Sequence, residues 1–243
     1  MTPNPSNIAG RLHPRLLITA GPTHEIIDAV RYLGNRSSGR LGIALATEAV
    51  SAGWHTTLLL GPISSAVPAP GSDSRLSVVR FLSCSDLQRL LREHAPKADV
   101  LVMAAAVADY RPRPNSMLSE GKFRRTNMPL SLELEPTPDL LAEVAANRRP
   151  EQMMVGFALE PRAELLASAK AKLERKKIDL VVGNPLETMD SDTIEAVVLG
   201  RDGSETRTPG LMTKTAFAPW LLSIIEKRME HPAAAHLGRA GAA

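Results

Sequence analysis

The segment that follows the apolar run RLLITA carries residues whose types suit anion binding. Asn35, Ser37, Ser38 and Gly39 directly precede a run that predicts a helix, and the free N–H groups and dipole of a helix start favour an anion there. The serine hydroxyls could add donors, or could serve only as N-caps. The Asn35 amide could donate to a developing oxyanion or could stabilise its own turn. Both pairs of interpretations stay open.

A second segment, MAAAVADYRPRP, follows a bare apolar run. The small side chains of residues 104–106 leave room for a planar ring against the backbone. Asp109 comes just past the predicted strand end, where its carboxylate could reach a metal ion held by phosphates. The alternative for Asp109 is a capping or turn residue.

Two basic clusters complete the set of candidates. Lys122 opens the cluster KFRR inside a long predicted loop, where mobile positive charge could close over a phosphorylated substrate or could simply be solvated. Lys172 and Lys176 are four residues apart and share one face of a predicted helix. Their spacing alone favours an exposed, solvated face. Cys84 is predicted to be a small buried or helix-leading residue without a catalytic role.

These residues lie between elements that alternate along the chain. The apolar and β-branched runs that predict strands are 15–20, 55–60, 76–82, 99–106, 153–158 and 179–183. The runs that predict helices are 38–52, 85–95 with Ser85 as cap, one opening at Thr137-Pro138-Asp139 with Pro138 in its first position, 162–177 and 213–229. The alternation predicts an α/β fold of Rossmann-like type, with a mostly parallel sheet and helices on both faces.

Three regions depart from the alternation. Residues 110–136 are predicted to be a long flap loop, and the Asp202-Gly203 pair predicts a C-terminal hairpin between 193–199 and 204–208. Residues 231–243 are rich in alanine and glycine and are predicted to be a disordered tail. The rest, 1–230, is predicted to be a single domain. Because ligands bind at the carboxyl ends of parallel strands, we expect the site in the loops after Ala20, Ala106 and Ala158.

Composition and motif content exclude several classes of function. The 243 residues include one cysteine and 3% aromatic residues, which argues against a disulfide framework, a cysteine metal site and a stacking platform for nucleic acid. The net charge of +3 favours a small anionic ligand over a polyanion. The chain has no H-E-x-x-H, G-x-S-x-G or Walker motif and no apolar run long enough to span a bilayer. We therefore expect a cytoplasmic protein that binds neither nucleic acid nor membrane.

In combination, the segments ITAGPTHEIIDAVRYLGNRSSGRLG, MAAAVADYRP, KFRR, PTPDLL, VGFALE and KLERKKIDLVVGNP resemble the phosphopantothenoylcysteine synthetase family. The resemblance covers residues 14–228, in the family's order, and the first two segments are its most specific part. It implies a ligase that joins 4′-phosphopantothenate to L-cysteine through an acyl-cytidylate, with CTP as co-substrate and Mg²⁺ as cofactor. KFRR, GFALEP and VGNPL depart from the family's usual residues at these places.

The resemblance also assigns roles to individual residues. It implies that Lys122 is the catalytic flap lysine, that Asn35 assists conversion of the intermediate, and that Asp109 lies near the metal ion. The nucleotide-binding positions that it implies are Gly21, Ser37, Ser38, Gly39, Ala105, Ala106, Val107, Asp109, Lys122, Pro138, Asp139, Leu140, Leu141, Phe157, Lys172 and Lys176.

The family further implies a homodimer and a phosphopantothenoylcysteine decarboxylase on another chain, because the flavin-binding half is absent from this sequence. Two other hypotheses stay open. One is an NAD(P)-dependent oxidoreductase on a similar sheet, which the missing G-x-G-x-x-G fingerprint disfavours. The other is a non-catalytic partner of a flavoprotein decarboxylase, which a turnover assay would distinguish.

Overall fold

The computed structural model describes residues 13–64, 75–113, 122, 124–125 and 127–230. The described strands are β1 (Arg15–Ala20), β2 (His24–Ile26), β3 (Tyr32–Gly34), β4 (His55–Leu60), β5 (Leu76–Arg80), β6 (Val100–Met103), β7 (Tyr110–Pro112), β8 (Leu134–Pro136), β9 (Met153–Glu160), β10 (Leu180–Pro185), β11 (Thr193–Ile194), β12 (Val197–Gly200), β13 (Glu205–Arg207) and β14 (Met212–Thr213). The described helices are α1 (Arg40–Ser51), α2 (Cys84–His94), α3 (Leu140–Ala146), α4 (Leu165–Lys176) and α5 (Lys214–Glu230).

Eight strands form the central sheet in the order β13-β12-β10-β9-β6-β1-β4-β5. The six strands from β10 to β5 are parallel, and β12 and β13 add an antiparallel edge. The predicted mostly parallel sheet is therefore confirmed, as is the hairpin through Asp202-Gly203. The start of the predicted first hairpin strand is wrong, because Thr193 and Ile194 pair with β14 instead of continuing into β12.

The helices cover both faces of the sheet, as predicted. On one face, α1 and α5 bury residues such as Leu45, Phe217 and Leu221 against the even-numbered residues of β1 and β4. On the other face, α2, α3 and α4 bury residues such as Leu87 and Leu173. The central strands β1, β6 and β10 are buried on both sides, which is typical of a parallel sheet that is covered twice.

The predicted starts of α2 and α3 are wrong. α2 begins at Cys84 because Ser83, not Ser85, is the N-cap: its hydroxyl accepts from the Asp86 N–H, and the Asp86 carboxylate accepts from the Ser83 N–H. Pro138 is not the first residue of α3, because Asp139 is the N-cap and accepts from the Ala142 N–H.

The predicted flap loop contains more structure than expected at its ends. β7 and β8 pair antiparallel, so that Tyr110 lies opposite Pro136. Between them, residues 114–121, 123 and 126 lie outside the described residues, as do the predicted tail 231–243 and most of the connector after β4. Among the described residues, no helix has the length and apolar composition needed to cross a bilayer.

Candidate active site

The turn after β1 brings two of the predicted glycines together. Gly21 has φ +80°, a left-handed conformation that favours glycine, and a Cβ atom there would lie 3.0 Å from Ile63 Cγ2. Gly39 has φ +71°, and its Cβ would lie 3.4 Å from the Gly21 nitrogen. The backbone at the start of α1 therefore lies directly against the end of β1.

No side chain caps α1, although two serines precede it. The N-cap is Gly39 and the helix begins at Arg40, so the interpretation of Ser37 or Ser38 as the N-cap is wrong. Intrahelical bonding begins only with the Ile43 N–H, which donates to the Gly39 carbonyl. The N–H groups of a helix's first turn have no intrahelical acceptor, so this start keeps the donors that an anion site needs.

The segment after β6 runs alongside this turn and is joined to it by hydrogen bonds. The Ala106 N–H donates to the Gly21 carbonyl at 2.9 Å, and the Ala105 N–H donates to Thr19 Oγ1 at 3.1 Å. The Ala108 N–H donates to Thr23 Oγ1 at 3.0 Å. Because the backbone is held in this way, the small side chains of residues 104–106 lie half-buried at the edge of the sheet.

Asn35 links these two loops. Its Nδ2 donates to the Val107 carbonyl at 2.9 Å, across 72 residues of sequence. This bond does not stabilise Asn35's own turn, so the turn-asparagine interpretation does not describe it. The side chain is exposed, and an amide nitrogen carries a second proton. Asn35 is therefore positioned by the loop and keeps a donor for a ligand.

The predicted lysine pair is half-buried rather than fully solvated. Lys172 Nζ donates to the Phe157 carbonyl, and Lys176 forms an ion pair with Asp139 that leaves 10% of the lysine side chain exposed. Burial lowers the pKa of both lysines, and the Asp109 carboxylate opposes that shift for each of them. The structure thus gathers Asp109, Asp139, Phe157, Lys172 and Lys176 into one lysine cluster.

The packing beneath the lysine cluster depends on a glycine in β9. A Cβ atom on Gly156 would lie 2.9 Å from Leu141 Cδ2 and 4.0 Å from Lys172 Cε. The absence of a side chain therefore lets α3 approach the strand closely. The side chains of Leu140 and Leu141 are themselves buried in the core, so only their backbone is available to a ligand.

Three threonines that the sequence analysis did not single out position the site. Thr19 and Thr23 accept the bonds from the segment after β6, and Thr137 Oγ1 donates to the Ala108 carbonyl at 2.6 Å. The Thr137 N–H also donates to the Asp109 carbonyl at 2.9 Å. A signal existed for Thr19, because it is the one uncharged polar residue in the apolar run RLLITA.

Two predicted roles are not placed by the geometry. Lys122 is exposed, with parts of its segment outside the described residues, so its catalytic role stays a prediction. In the described ranges no group of three histidine, cysteine or acidic side chains could hold a metal ion. Asp109 is exposed and could supply one carboxylate to a Mg²⁺ ion whose other ligands come from phosphates and water.

Cys84 is buried at the first position of α2, as predicted. Its backbone N–H donates to Glu25 Oε1 at 2.8 Å, which ties β2 to the helix. Burial, followed by the nearby Glu25 carboxylate, raises the pKa of the thiol to about 11. A thiol with that pKa is a poor nucleophile at neutral pH, which agrees with a structural role.

A doubly covered parallel sheet with small residues and lysines gathered at its carboxyl edge defines this molecule as a Rossmann-like α/β protein. Residues 12–229 match the family model of the DNA/pantothenate metabolism flavoprotein C-terminal domain, and the chain belongs to this family.

The curated proteins that are similar to this chain are longer than it, and the match covers only part of each. The "Coenzyme A biosynthesis bifunctional protein CoaBC" of Mycobacterium bovis is 39% identical over 214 residues, which cover 83% of this chain and 49% of that protein. A "Cysteine/Cysteine sulfinic acid decarboxylase" from an unknown prokaryotic organism is 39% identical over 173 residues, covering 71% of this chain and 46% of the relative. The chain therefore spans about half the length of the curated relatives it matches.

The solved C-terminal domain of a CoaBC protein is similar over its whole length. It shares 32% sequence identity and a TM-score of 0.74, covering 93% of this chain and 99% of that one. The fold and the family resemblance expected from the sequence are both confirmed. None of the relatives reported above supports the oxidoreductase hypothesis.

Proposed function

We propose that this protein is a phosphopantothenate–cysteine ligase of coenzyme A biosynthesis, which uses CTP and Mg²⁺ to join 4′-phosphopantothenate to L-cysteine. The family membership and the similarity to the C-terminal domain of CoaBC support the proposal. The observation that carries it is the lysine cluster, which lies at the carboxyl edge of the sheet where ligands of such folds bind.

The proposed reaction has two steps. A carboxylate oxygen of phosphopantothenate attacks the α-phosphorus of CTP, the bond to the β-phosphate bridging oxygen breaks, and pyrophosphate leaves. The amine of cysteine then attacks the acyl carbon, CMP leaves with the bonding electron pair, and the amine gives up a proton. The products are phosphopantothenoylcysteine, CMP and pyrophosphate, and the cysteine thiol is unchanged.

The lysine cluster suits the nucleotide because it offers charge in a water-poor setting. Lys172 is held by the Phe157 carbonyl and Lys176 by Asp139, so both ammonium groups are positioned before a ligand arrives. Burial lowers the pKa of both, and an incoming phosphate would restore the favourable environment of the charged form. Bound Mg²⁺ would neutralise phosphate charge, with Asp109 as its ligand from this chain.

Asn35 suits the second step. Its Nδ2 is fixed by the Val107 carbonyl and keeps one proton for the oxyanion that develops on the acyl carbonyl. Gly21, Gly39 and the open N–H groups at the start of α1 are assigned to the phosphates, with Ser37 and Ser38 beside them. Lys122 is assigned to the α-phosphate from the flap.

We propose a homodimer formed through two adjacent hairpins. The β2–β3 and β7–β8 hairpins contact each other, and Ile26, Val30, Tyr32 and Tyr110 on them are each at least 50% exposed. Such a concentration of exposed apolar side chains is typical of an interface. Sedimentation equilibrium should give a dimer mass for the protein and a monomer mass for Val30→Asp; a monomer in both would overturn the assignment.

The function is tested by pyrophosphate release with phosphopantothenate, cysteine and each of CTP, ATP, GTP and UTP. We expect release with CTP above the other three, dependent on both substrates and on Mg²⁺. Release that is greatest with ATP would overturn the nucleotide assignment alone. Absence of turnover with every nucleotide would favour the non-catalytic partner of a decarboxylase. We further propose that a phosphopantothenoylcysteine decarboxylase outside residues 12–229 consumes the product.

A further inference from the structure

A concave surface lies at the end of the sheet where the parallel strands begin, opposite the end that carries the lysine cluster. It has a volume of about 280 Å³. Its lining comes from the first residues of β1, β4 and β5 and from the end of the α2 region. The residues that line it are Arg15, Leu16, Leu17, His55, Thr56, Thr57, Arg75, Ser77, His94, Lys97 and Ala98. We call it the amino-edge pocket.

Strand register arranges the floor of the amino-edge pocket. Leu17 is paired with Thr57, and Thr57 with Ser77, so these three residues form one row across neighbouring strands. Paired residues of neighbouring strands project from the same face of a sheet. Leu17 belongs to the core beneath α2, so the two hydroxyls of the row lie on the α2 side as well.

A second row lies two residues nearer the strand starts and contains basic side chains. Arg15 is paired with His55, and the carbonyl of Arg75 accepts from the Thr56 N–H at 2.7 Å on the next strand. A Cβ atom built on Gly53 would lie 3.6 Å from both Arg75 Nη1 and His13 Nδ1, so both side chains approach Gly53.

The ionisable side chains that line the amino-edge pocket are all basic: Arg15, His55, Arg75, His94 and Lys97. Carboxylates also contact this set from outside the lining. Asp99 lies 3.6 Å from Arg15 Nε with its own side chain 1% exposed, and Glu93 lies 3.7 Å from His94 Nε2. His94 and Lys97 also offset the negative end of the α2 dipole, but Arg15, His55 and Arg75 come from strand starts and have no such role.

We propose that the amino-edge pocket binds the phosphate group of a small ligand, either inorganic phosphate or pyrophosphate or the head of a small phosphate ester. Guanidinium and ammonium groups supply the charge, and the hydroxyls of Thr57 and Ser77 supply neutral donors to the phosphate oxygens. The volume corresponds to several water molecules, which a phosphate with a short organic extension would fill. The site is separate from the lysine cluster, so the proposal does not depend on the ligase assignment.

The test is titration of the isotopically labelled chain with pyrophosphate, inorganic phosphate, glycerol 3-phosphate and acetate, followed by amide NMR shifts. Lys172→Gln serves as the background, because it weakens phosphate binding at the lysine cluster. We expect saturable shifts of the Thr57, Ser77 and Lys97 amides with phosphates, with a dissociation constant of about 1 mM or tighter, and no saturation with acetate. The order of affinity among the three phosphates identifies the ligand's source.

Two variants and a control decide the outcome. Thr57→Val removes one hydroxyl at nearly constant volume and should weaken phosphate binding at least about fivefold, and Arg75→Gln at least about tenfold. Arg207→Gln changes an exposed arginine on β13, at the far edge of the sheet, and should leave binding unchanged. Equal affinity in Thr57→Val, Arg75→Gln and Arg207→Gln, or shifts that do not saturate, would overturn the proposal.

Discussion

The two ends of the central sheet handle charge in different ways. At the carboxyl end, Lys172 and Lys176 are half-buried, and each is held by a carbonyl or a carboxylate. At the amino end, Arg15, His55 and Arg75 stand on the strand starts themselves and line an open pocket.

The difference indicates what each end is suited to do. Enclosed lysines have already lost much of their hydration, so a phosphate that contacts them gains a strong interaction in a medium of low dielectric. Exposed basic side chains at the amino end, such as Arg15, give weaker electrostatic interactions, and salt weakens these interactions further. We therefore expect chemistry at the carboxyl end and reversible binding at the amino end, and substitutions should separate the two.

The largest effect is expected for Asn35→Asp. The substitution replaces an amide donor by a carboxylate that faces the Val107 carbonyl and the developing oxyanion. Loss of one oxyanion donor costs roughly 100-fold in turnover. Because the first step does not need this donor, acyl-cytidylate should accumulate and be detected by mass spectrometry of quenched reactions.

The matched control for Asn35→Asp is Asn147→Asp. Asn147 lies at the end of α3 and its Nδ2 donates to the Glu143 carbonyl, so the same chemical change is made away from the candidate active site. Normal turnover by Asn35→Asp, or equal losses in both variants, would contradict the role given to Asn35.

Lys122→Ala should lower turnover at least roughly tenfold, equivalent to about 1.4 kcal/mol of activation free energy. The flap lysine would neutralise charge on the α-phosphate, which the exposed position of Lys122 permits. Lys170→Ala is the control, since Lys170 is exposed on α4. Steady-state rates that agree within a factor of two for all three proteins would remove Lys122 from the mechanism.

Lys172→Met tests the cost of burying charge at the carboxyl end. Burial lowers the pKa of Lys172 in the folded state, so the charged lysine opposes folding at neutral pH. That penalty disappears as the pH rises through the folded pKa towards the unfolded one, so the protein should gain stability there. The methionine variant lacks the group and should lack this part of the gain.

The measurement for Lys172→Met is chemical denaturation at pH 7 and pH 10, with nucleotide affinity measured alongside. The difference in unfolding free energy between the variant and the parent should favour the variant at pH 7 and shrink at pH 10. Nucleotide binding should weaken. A difference that does not change with pH would show that the Lys172 ammonium carries no burial penalty.

Elements that depend on local sequence pattern were predictable, and elements that depend on distant partners were not. β1 and β4 follow the predicted bounds because glycines end two apolar runs. The run 99–106 was predicted to be one strand, but β6 ends at Met103. Beyond it the Ala104 and Ala106 N–H groups still bond to the Thr19 and Gly21 carbonyls, whereas the Ala105 N–H bonds to the Thr19 hydroxyl. Those partners are set by chain segments far apart in sequence, which local pattern does not specify.

Burial of charge was the least predictable property of the site. Spacing placed Lys172 and Lys176 on one helix face, and that face looked solvated by composition. Its partial burial comes with two contacts from other segments: Lys172 donates to the Phe157 carbonyl, and Lys176 pairs with Asp139, the N-cap of another helix. The α2 cap was predictable, since the S-x-x-D pattern from Ser83 to Asp86 is the signature of a capping box.

The smallest effect is expected at the amino end, where Thr57→Val should leave ligase turnover within about twofold of the parent. Thr57 lies in a strand row that lines the amino-edge pocket, and among the described residues its hydroxyl makes no hydrogen bond to the lysine cluster or Asn35. Distant, unconnected sites are close to independent in free energy, so the change should add nothing to the barrier. The assay is pyrophosphate release at saturating substrate, with and without 5 mM added phosphate, a concentration of about five times the expected dissociation constant. A turnover loss as large as that of Lys122→Ala would mean that the two ends of the sheet act as one site, and the contrast between enclosed and open charge would no longer describe this protein.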